Sequence, residues 1–146
     1  MPQIKAHDEI TINSSIENVW NVLIDIPNYN KWWPKSVNLK VTNFNKAIVN
    51  TQFEARPLGG KSFSCKVESL IPNKEIRLNY FDGIYRGEGV WKLERKEKSI
   101  TVSYSVDLEI VDKSIAILSK VVPIPKLHSL IFKQILKGLS QQIKSK

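Results

Sequence analysis

The sequence contains one cysteine, Cys65, and two histidines, His7 and His128. A lone cysteine excludes an internal disulfide, so the expected compartment is the reducing cytoplasm. No CxxC or HxxxH spacing brings metal-ligand side chains together, and neither a metal site nor a cofactor is expected. No apolar run reaches the roughly 18 residues of a membrane-spanning helix. The N-terminal residues are too polar for a signal peptide.

Acidic residues are missing from the last part of the chain. From Lys113 to Lys146 there are seven lysines and no acid, in a protein of net charge +8. Such a segment can attract membranes, nucleic acid or anionic ligands, although a solvated helix face has the same composition. Nucleic-acid binding is not expected, because the lysines lack arginine and interleaved exposed aromatics. Weak contact with an anionic membrane is predicted for a row of four lysines: Lys126, Lys133, Lys137 and Lys144.

What is present is the composition of an ordinary globular domain. The chain has 146 residues, of which 42% are hydrophobic and 25% are charged. This length is typical of one domain, and we assign residues 1–146 to a single domain. No repeat, low-complexity tract or long linker divides it.

The spacing of apolar residues predicts the order of the elements. Period-two alternation predicts a strand over 3–12, and helical spacing predicts a short helix over 16–24, with a capping box at 14–17 and an end at Pro27. A second short helix is expected over 28–33. Alternating runs then predict strands over 37–41, 51–56, 63–67, 76–80, 85–93 and 100–110. Short turns between these runs indicate an antiparallel meander.

The C-terminal residues 125–146 return to helical spacing. Rotation by 100° per residue collects seven apolar side chains on one face and places the row of four lysines opposite. The apolar face consists of Leu127, Ile131, Phe132, Ile135, Leu136, Leu139 and Ile143. His128 lies near the centre of this face, and Leu130 lies near the basic edge.

Two local motifs accompany this order of elements. The first runs from Ser15 to Asp25 (SIENVWNVLID) and continues as NYNKWWP, and the second is GEGVWKLE at 87–94. Together they resemble the polyketide cyclase/dehydrase type of the START-like, helix-grip superfamily. The resemblance implies an α+β fold, in which a curved seven-stranded antiparallel sheet surrounds a long C-terminal helix. Two short helices lie between the first and second strands.

The same resemblance implies an apolar cavity between sheet and helix. Members of the superfamily bind lipids, sterols, polyketides or quinones, and some are enzymes, but they share no catalytic residue that could be transferred here. Aromatic side chains suit such a cavity, although they are also ordinary core residues. The candidate ligand-binding residues are Trp33, Phe53, Phe63, Tyr80, Tyr85, Trp91, Tyr104, His128 and Phe132.

His128 is the one candidate for acid–base chemistry. It is either a core histidine bonded to a strand or a polar group on the cavity floor that orients a ligand or moves a proton. Cys65 is expected to be a small buried side chain. Arg56, Arg86 and Glu88 are expected on the outer face. Residues 114–124 (SIAILSKVVPI) are unusually apolar, and they could form a lid, a membrane-touching loop or packed structure.

The predicted function is carriage or sensing of a small apolar ligand. The candidates are a lipid, an isoprenoid or quinone, or an aromatic polyketide. The alternatives are a cyclase or dehydratase acting on an apolar carbonyl compound, which needs an acid or base in the cavity, and a module that binds a membrane or a partner through its lysines.

Overall fold

Residues 2–145 are described by a computed structural model, and within them seven antiparallel strands form one sheet. The strands are β1 (Gln3–Ile12), β2 (Val37–Asn43), β3 (Gln52–Pro57), β4 (Phe63–Ile71), β5 (Glu75–Gly83), β6 (Tyr85–Lys96) and β7 (Ser99–Ile110). Their spatial order is β1-β7-β6-β5-β4-β3-β2, so consecutive strands from β2 to β7 are neighbours and β1 joins β7 at the far edge. The α+β class and the seven strands predicted from the sequence are confirmed.

Two short helices connect β1 and β2, as predicted. Helix α1 spans Ile16–Ile24 and a 3-10 helix spans Ile26–Lys31, with Pro27 in its first turn. The predicted capping box is shifted by one residue: the hydroxyl of Ser15 accepts the Asn18 N–H at 3.2 Å. The side chain that reaches back is that of Asn18, whose amide donates to the Ser14 hydroxyl at 3.4 Å, and not that of Glu17.

The C-terminal helix α3 spans Ile124–Lys144, whereas the prediction extended it to residue 146. Lys146 lies outside the described residues. Helix α3 packs mainly on β1 and also touches α1. Its predicted apolar face is buried from Phe132 to Ile143, whereas Leu127 and Ile131 are half-buried. The four lysines of the predicted row are exposed, as is Leu130. Of the helices formed by residues 2–145, none combines the length and apolar character required to span a membrane.

Alternation along the strands separates a concave face, which holds the core, from an exposed convex face. Cys65 is 1% exposed and belongs to the core, as expected, while Arg56, Arg86 and Glu88 are exposed. The inward face of β1 carries one residue that its apolar pattern did not predict. Asp8 is buried there, and its Oδ2 accepts a hydrogen bond of 3.0 Å from the Ser129 hydroxyl of α3. This bond ties the helix to the edge strand.

Gly138 allows α3 to lie directly against the residues that follow the 3-10 helix. A Cβ atom at this position would lie 1.9 Å from the carbonyl oxygen of Trp32 and 3.1 Å from its carbonyl carbon. Because both are backbone atoms, neither can turn away. The contact therefore sets the distance between the C-terminal half of α3 and the loop that carries Trp32 and Trp33.

We predict that Gly138→Ala destabilises the protein by about 1–3 kcal/mol, the usual range for overpacking. In an unobstructed helix the same change would stabilise by about 1 kcal/mol, so the sign is informative. Urea unfolding gives the free energy of unfolding. Gln141→Ala, at an exposed position of the same helix, is the control and should change little. A stabilised Gly138→Ala protein would contradict the close contact.

Candidate functional site: an apolar cavity under the C-terminal helix

A cavity of about 230 Å³ lies between the concave face of the sheet and α3. The helix contributes its N-terminal half, from Ile124 to Ile135, whereas the buried side chains from Leu136 onward do not line the cavity. All nine candidate ligand-binding residues line it: Trp33, Phe53, Phe63, Tyr80, Tyr85, Trp91, Tyr104, His128 and Phe132. The structure therefore brings together side chains from the loop after the 3-10 helix, from five strands and from α3.

Other lining residues were not selected from the sequence. Tyr29, Leu78 and Ile84 were treated as structural or not singled out, yet each reaches the cavity wall. Tyr29 is held in place because its hydroxyl donates to the Leu23 carbonyl. Further lining residues come from the β3–β4 turn and from the 114–124 segment: Pro57, Leu58, Gly60, Lys61, Ile115 and Leu118.

The cavity coincides with a gap in the sheet. β5 and β6 pair from Glu75–Lys92 as far as Tyr80–Gly87. Beyond that point the end of β5 pairs with β4 alone and the start of β6 pairs with β7 alone. Ile84 spans the gap, since its N–H donates to the Ser62 carbonyl and its carbonyl accepts the Val111 N–H. This divergence widens the sheet where Ile84 and Tyr85 line the cavity.

Tyr80 and Tyr104 form a hydrogen-bonded pair in the cavity wall. Their hydroxyl oxygens are 2.5 Å apart. Gly89 of β6 makes room for them, because a Cβ there would lie 2.0 Å from the Tyr104 hydroxyl. Burial raises the pKa of both phenols well above its usual value, so both hydroxyls keep their protons at neutral pH.

Phe132 is the centre of the aromatic cluster. Tyr104 stacks on it with ring centroids 4.2 Å apart and planes within 3°, and His128 stacks on it at 5.3 Å. Trp33 meets Phe132 edge-on at 6.3 Å and stacks on Tyr29 at 5.4 Å. These contacts fix the orientation of the rings that carry the polar atoms of the wall.

His128 is half-buried, and its Nδ1 atom is fully buried with no hydrogen-bond partner among the described residues. The expected alternative, a core histidine bonded to a strand residue, is therefore wrong for this nitrogen. Burial lowers the pKa of His128 to about 4, against a smaller opposing effect of Asp8. The imidazole is neutral at pH 7, and Nδ1 can donate or accept according to its tautomer.

Trp33 carries a second buried polar atom without a partner. Its indole nitrogen, Nε1, has no hydrogen-bond acceptor within residues 2–145. Nearly all buried polar groups in proteins are hydrogen-bonded, so each exception needs a physical reason. Here both atoms belong to residues that line the same cavity, Trp33 and His128.

The cavity reaches the surface between the β3–β4 turn and the 114–124 segment. We call this opening the mouth. The lining residues Leu58, Lys61 and Leu118 are also exposed there. Helix α2 (Lys113–Leu118) overlaps the first part of the segment and has no buried residue. Ile117 and Val121 are 66% and 82% exposed. The segment therefore covers the cavity on one side and presents apolar side chains to solvent on the other.

One ion pair crosses the mouth. Lys61 Nζ donates to Asp112 Oδ2 and to the Ser114 hydroxyl, both at 2.9 Å. Asp112 Oδ1 also accepts from the Ser114 hydroxyl and from the Ile115 N–H, which caps α2. The hydrogen bonds from Ser114 and Lys61, in that order, hold the pKa of Asp112 well below its usual range. Within the described chain, no three His, Cys, Asp or Glu side chains are grouped as metal ligands.

The pKa of His128 leads to a prediction for acid stability. The unfolded chain takes up a proton near pH 6.5 and the folded chain near pH 4. The contribution of His128 to the free energy of unfolding is thus complete above pH 6.5. It is lost as the pH drops from 6.5 to 4, and the loss is about 2 kcal/mol at pH 5. Urea unfolding at pH 7 and pH 5 should show this loss in the wild type and in His7→Gln, which alters the exposed histidine. The loss should be largely absent in His128→Gln. Equal losses in both variants would contradict a neutral, buried His128.

The ion pair at the mouth leads to a prediction for local opening. We expect Lys61→Met to speed amide hydrogen exchange of residues 113–118 several-fold, because α2 loses its link to the β3–β4 turn. The free energy of unfolding should change by less than about 1 kcal/mol, since Lys61 is exposed. Lys137→Met, on the exposed side of α3, is the matched control. Unchanged exchange in α2 would show that the pair does not hold the segment.

Known structures share this architecture along its whole length. The protein TTHA0849 from Thermus thermophilus is 20% identical, with a TM-score of 0.79 over 99% of this chain and 98% of its own. A START superfamily protein from Mycobacterium smegmatis is 14% identical, with a TM-score of 0.72 and 97% of both chains covered. Norcoclaurine synthase from Thalictrum flavum, a point mutant bound to a transition-state analogue, is 12% identical, with a TM-score of 0.70 over 99% and 96%. At these identities the likeness concerns the fold alone.

None of the curated proteins matches the sequence. Residues 3–142 match the family described as polyketide cyclase / dehydrase and lipid transport. The match includes every strand and all but the last two residues of α3. The chain therefore belongs to the polyketide cyclase / dehydrase and lipid transport family and has its START-like, helix-grip fold.

Proposed function

We propose that the protein binds a small, mainly apolar molecule in the cavity under α3. The observation that carries this proposal is the wall itself, in which aromatic and aliphatic side chains surround an unfilled volume of about 230 Å³. Protein cores are normally packed with few voids larger than a water molecule, so a cavity of this size in the middle of the fold calls for an occupant. The family description, which names polyketide chemistry and lipid transport, agrees with such a ligand.

The size of the cavity limits the ligand. An engineered apolar cavity of about 150 Å³ binds benzene. A cavity of about 230 Å³ therefore suits a molecule, or an end of one, of about one to two aromatic rings. Burial of its apolar surface would provide affinity at roughly 25 cal/mol per Å², less the cost of association. The stacked rings around Phe132 would favour a flat ligand.

The second candidate is an enzyme that acts on an apolar carbonyl compound. The observation in its favour is the Nδ1 atom of His128, which is buried without a hydrogen-bond partner among the described residues. No carboxylate lines the cavity among the described residues, so His128 would work without a carboxylate to orient it. Loss of turnover in His128→Gln with unchanged ligand affinity would favour the enzyme, whereas turnover that survives would exclude this residue as its acid or base.

A pair of leucines on α3 tests binding in the cavity. Leu127 lines the cavity and Leu130 is 55% exposed three residues later. Leu127→Trp should lower the affinity for a naphthalene probe at least tenfold, because the larger side chain fills the volume. Leu130→Trp should leave the affinity unchanged. Titration calorimetry measures both, and thermal unfolding checks that each variant is folded. Equal affinities would place the probe elsewhere.

A further inference from the structure

We propose that the ligand is uncharged and carries an acceptor oxygen, such as a ketone or quinone carbonyl, that receives a hydrogen bond from the indole N–H of Trp33. This inference rests on the proposed function, since it assigns the polar end of a ligand in that cavity. It makes Trp33 a specificity-determining residue. Two properties of the wall support it, namely the polar atoms that lack hydrogen-bond partners and the scarcity of charged groups.

Trp33 Nε1 can only donate, and it is buried without an acceptor in the described part of the chain. A buried donor without a partner is unfavourable, because it has lost its hydrogen bond to water and gained none in return. The ring cannot easily turn to correct this, because it stacks on Tyr29 and meets the edges of Trp32 and Phe132. An acceptor on the ligand would remove the penalty at the moment of binding.

The neighbouring polar atoms leave Trp33 as the free donor of the wall. Tyr80 and Tyr104 are hydrogen-bonded to each other through their hydroxyls, and Tyr80 is also hydrogen-bonded to the buried Cys65. His128 Nδ1 is a second atom without a partner, and it donates or accepts according to its tautomer. Among the described residues, Trp33 Nε1 is thus the one unpartnered atom of the wall that can only donate, which is complementary to an oxygen that only accepts.

Charged ligands find no partner in this wall. Lys61 is the one cation among the described lining residues, and it is bonded to Asp112 and Ser114 at the mouth. A carboxylate or phosphate inside would remain without a counter-ion, which is strongly unfavourable in an apolar cavity. A cation could face the aromatic rings, but the protein has a net charge of +8 and no carboxylate lines the cavity among the described residues.

Four naphthalenes of nearly equal shape separate these possibilities. They are 2-acetonaphthone, with a ketone, 2-isopropylnaphthalene, with no polar atom, the 2-naphthoate anion, and the 2-naphthylmethylammonium cation. We expect the wild type to bind the ketone about tenfold more tightly than the hydrocarbon, the gain of one hydrogen bond to a buried donor. Both ions should bind more weakly than the hydrocarbon. Calorimetry at pH 7 gives all four dissociation constants.

Trp33→Phe removes the N–H and keeps an aromatic ring. In this variant the ketone and the hydrocarbon should have about equal dissociation constants. The change in their ratio separates the effect of the hydrogen bond from that of altered packing. If the variant lowers both affinities by the same factor, Trp33 contributes packing alone and the inference is wrong. Tighter binding of either ion would also overturn it.

The outcomes distinguish this inference from the proposed function. If the hydrocarbon binds as tightly as the ketone, the inference is wrong, but the proposed apolar binding site is still supported. If none of the four compounds binds, the inference and the proposed function are both contradicted. If Trp33→Phe does not fold, the wild type suffices. One of its four tryptophan indole N–H signals, assigned to Trp33 through its combined contacts with Tyr29 and Phe132, should move downfield with the ketone and not with the hydrocarbon. An unmoved signal would overturn the inference.

Discussion

Helix α3 lies in the concave face of the sheet, and its two halves meet that face differently. From Leu136 to Ile143 the apolar side chains are 0–6% exposed and do not line the cavity. There Gly138 brings the helix against the Trp32 carbonyl, and nearer the N-terminus Ser129 is bonded to Asp8. With these points set, the N-terminal half spans a part of the sheet where β5 and β6 separate. Its side chains cannot fill the widened space, so the cavity follows from how the helix is seated.

The same seating determines the chemistry of the wall. Side chains on the inward side of β5, β6 and β7 are cut off from water by the helix, and Tyr80, Trp91 and Tyr104 become almost fully buried. The Tyr104 hydroxyl requires a glycine at position 89, because the Cβ atom of any other residue there would overlap with it. The few polar atoms that remain are neutral. They can hold a ligand by hydrogen bonds, and they provide no counter-ion for a charge.

Much of this arrangement could be predicted from local patterns. Period-two alternation placed Phe53, Tyr85 and Trp91 on the inward side of their strands, and the 100° rotation placed His128 and Phe132 under the helix. Eight of the nine candidate residues line the cavity for that reason, and Trp33 reaches it from the loop after the 3-10 helix. What could not be predicted depends on pairs far apart in sequence. Ser129 gives no sign of its bond to Asp8, and Lys61 none of its bond to Asp112, because each pair meets only when the sheet is assembled. The unpartnered nitrogen of Trp33 is likewise a property of the assembled wall.

Burial also bears on whether such a site favours binding or turnover. A general acid or base works best when its pKa lies near the operating pH. Here burial moves the pKa of Tyr80 and Tyr104 upward and that of His128 down to about 4, so each moves away from neutrality. A ligand that fills the cavity excludes water further and shifts these values in the same directions. The residues that line this cavity therefore become weaker proton carriers when it is occupied, while their hydrogen bonds become stronger in the drier environment. These shifts support our proposal that the cavity binds a ligand over the alternative that it converts one.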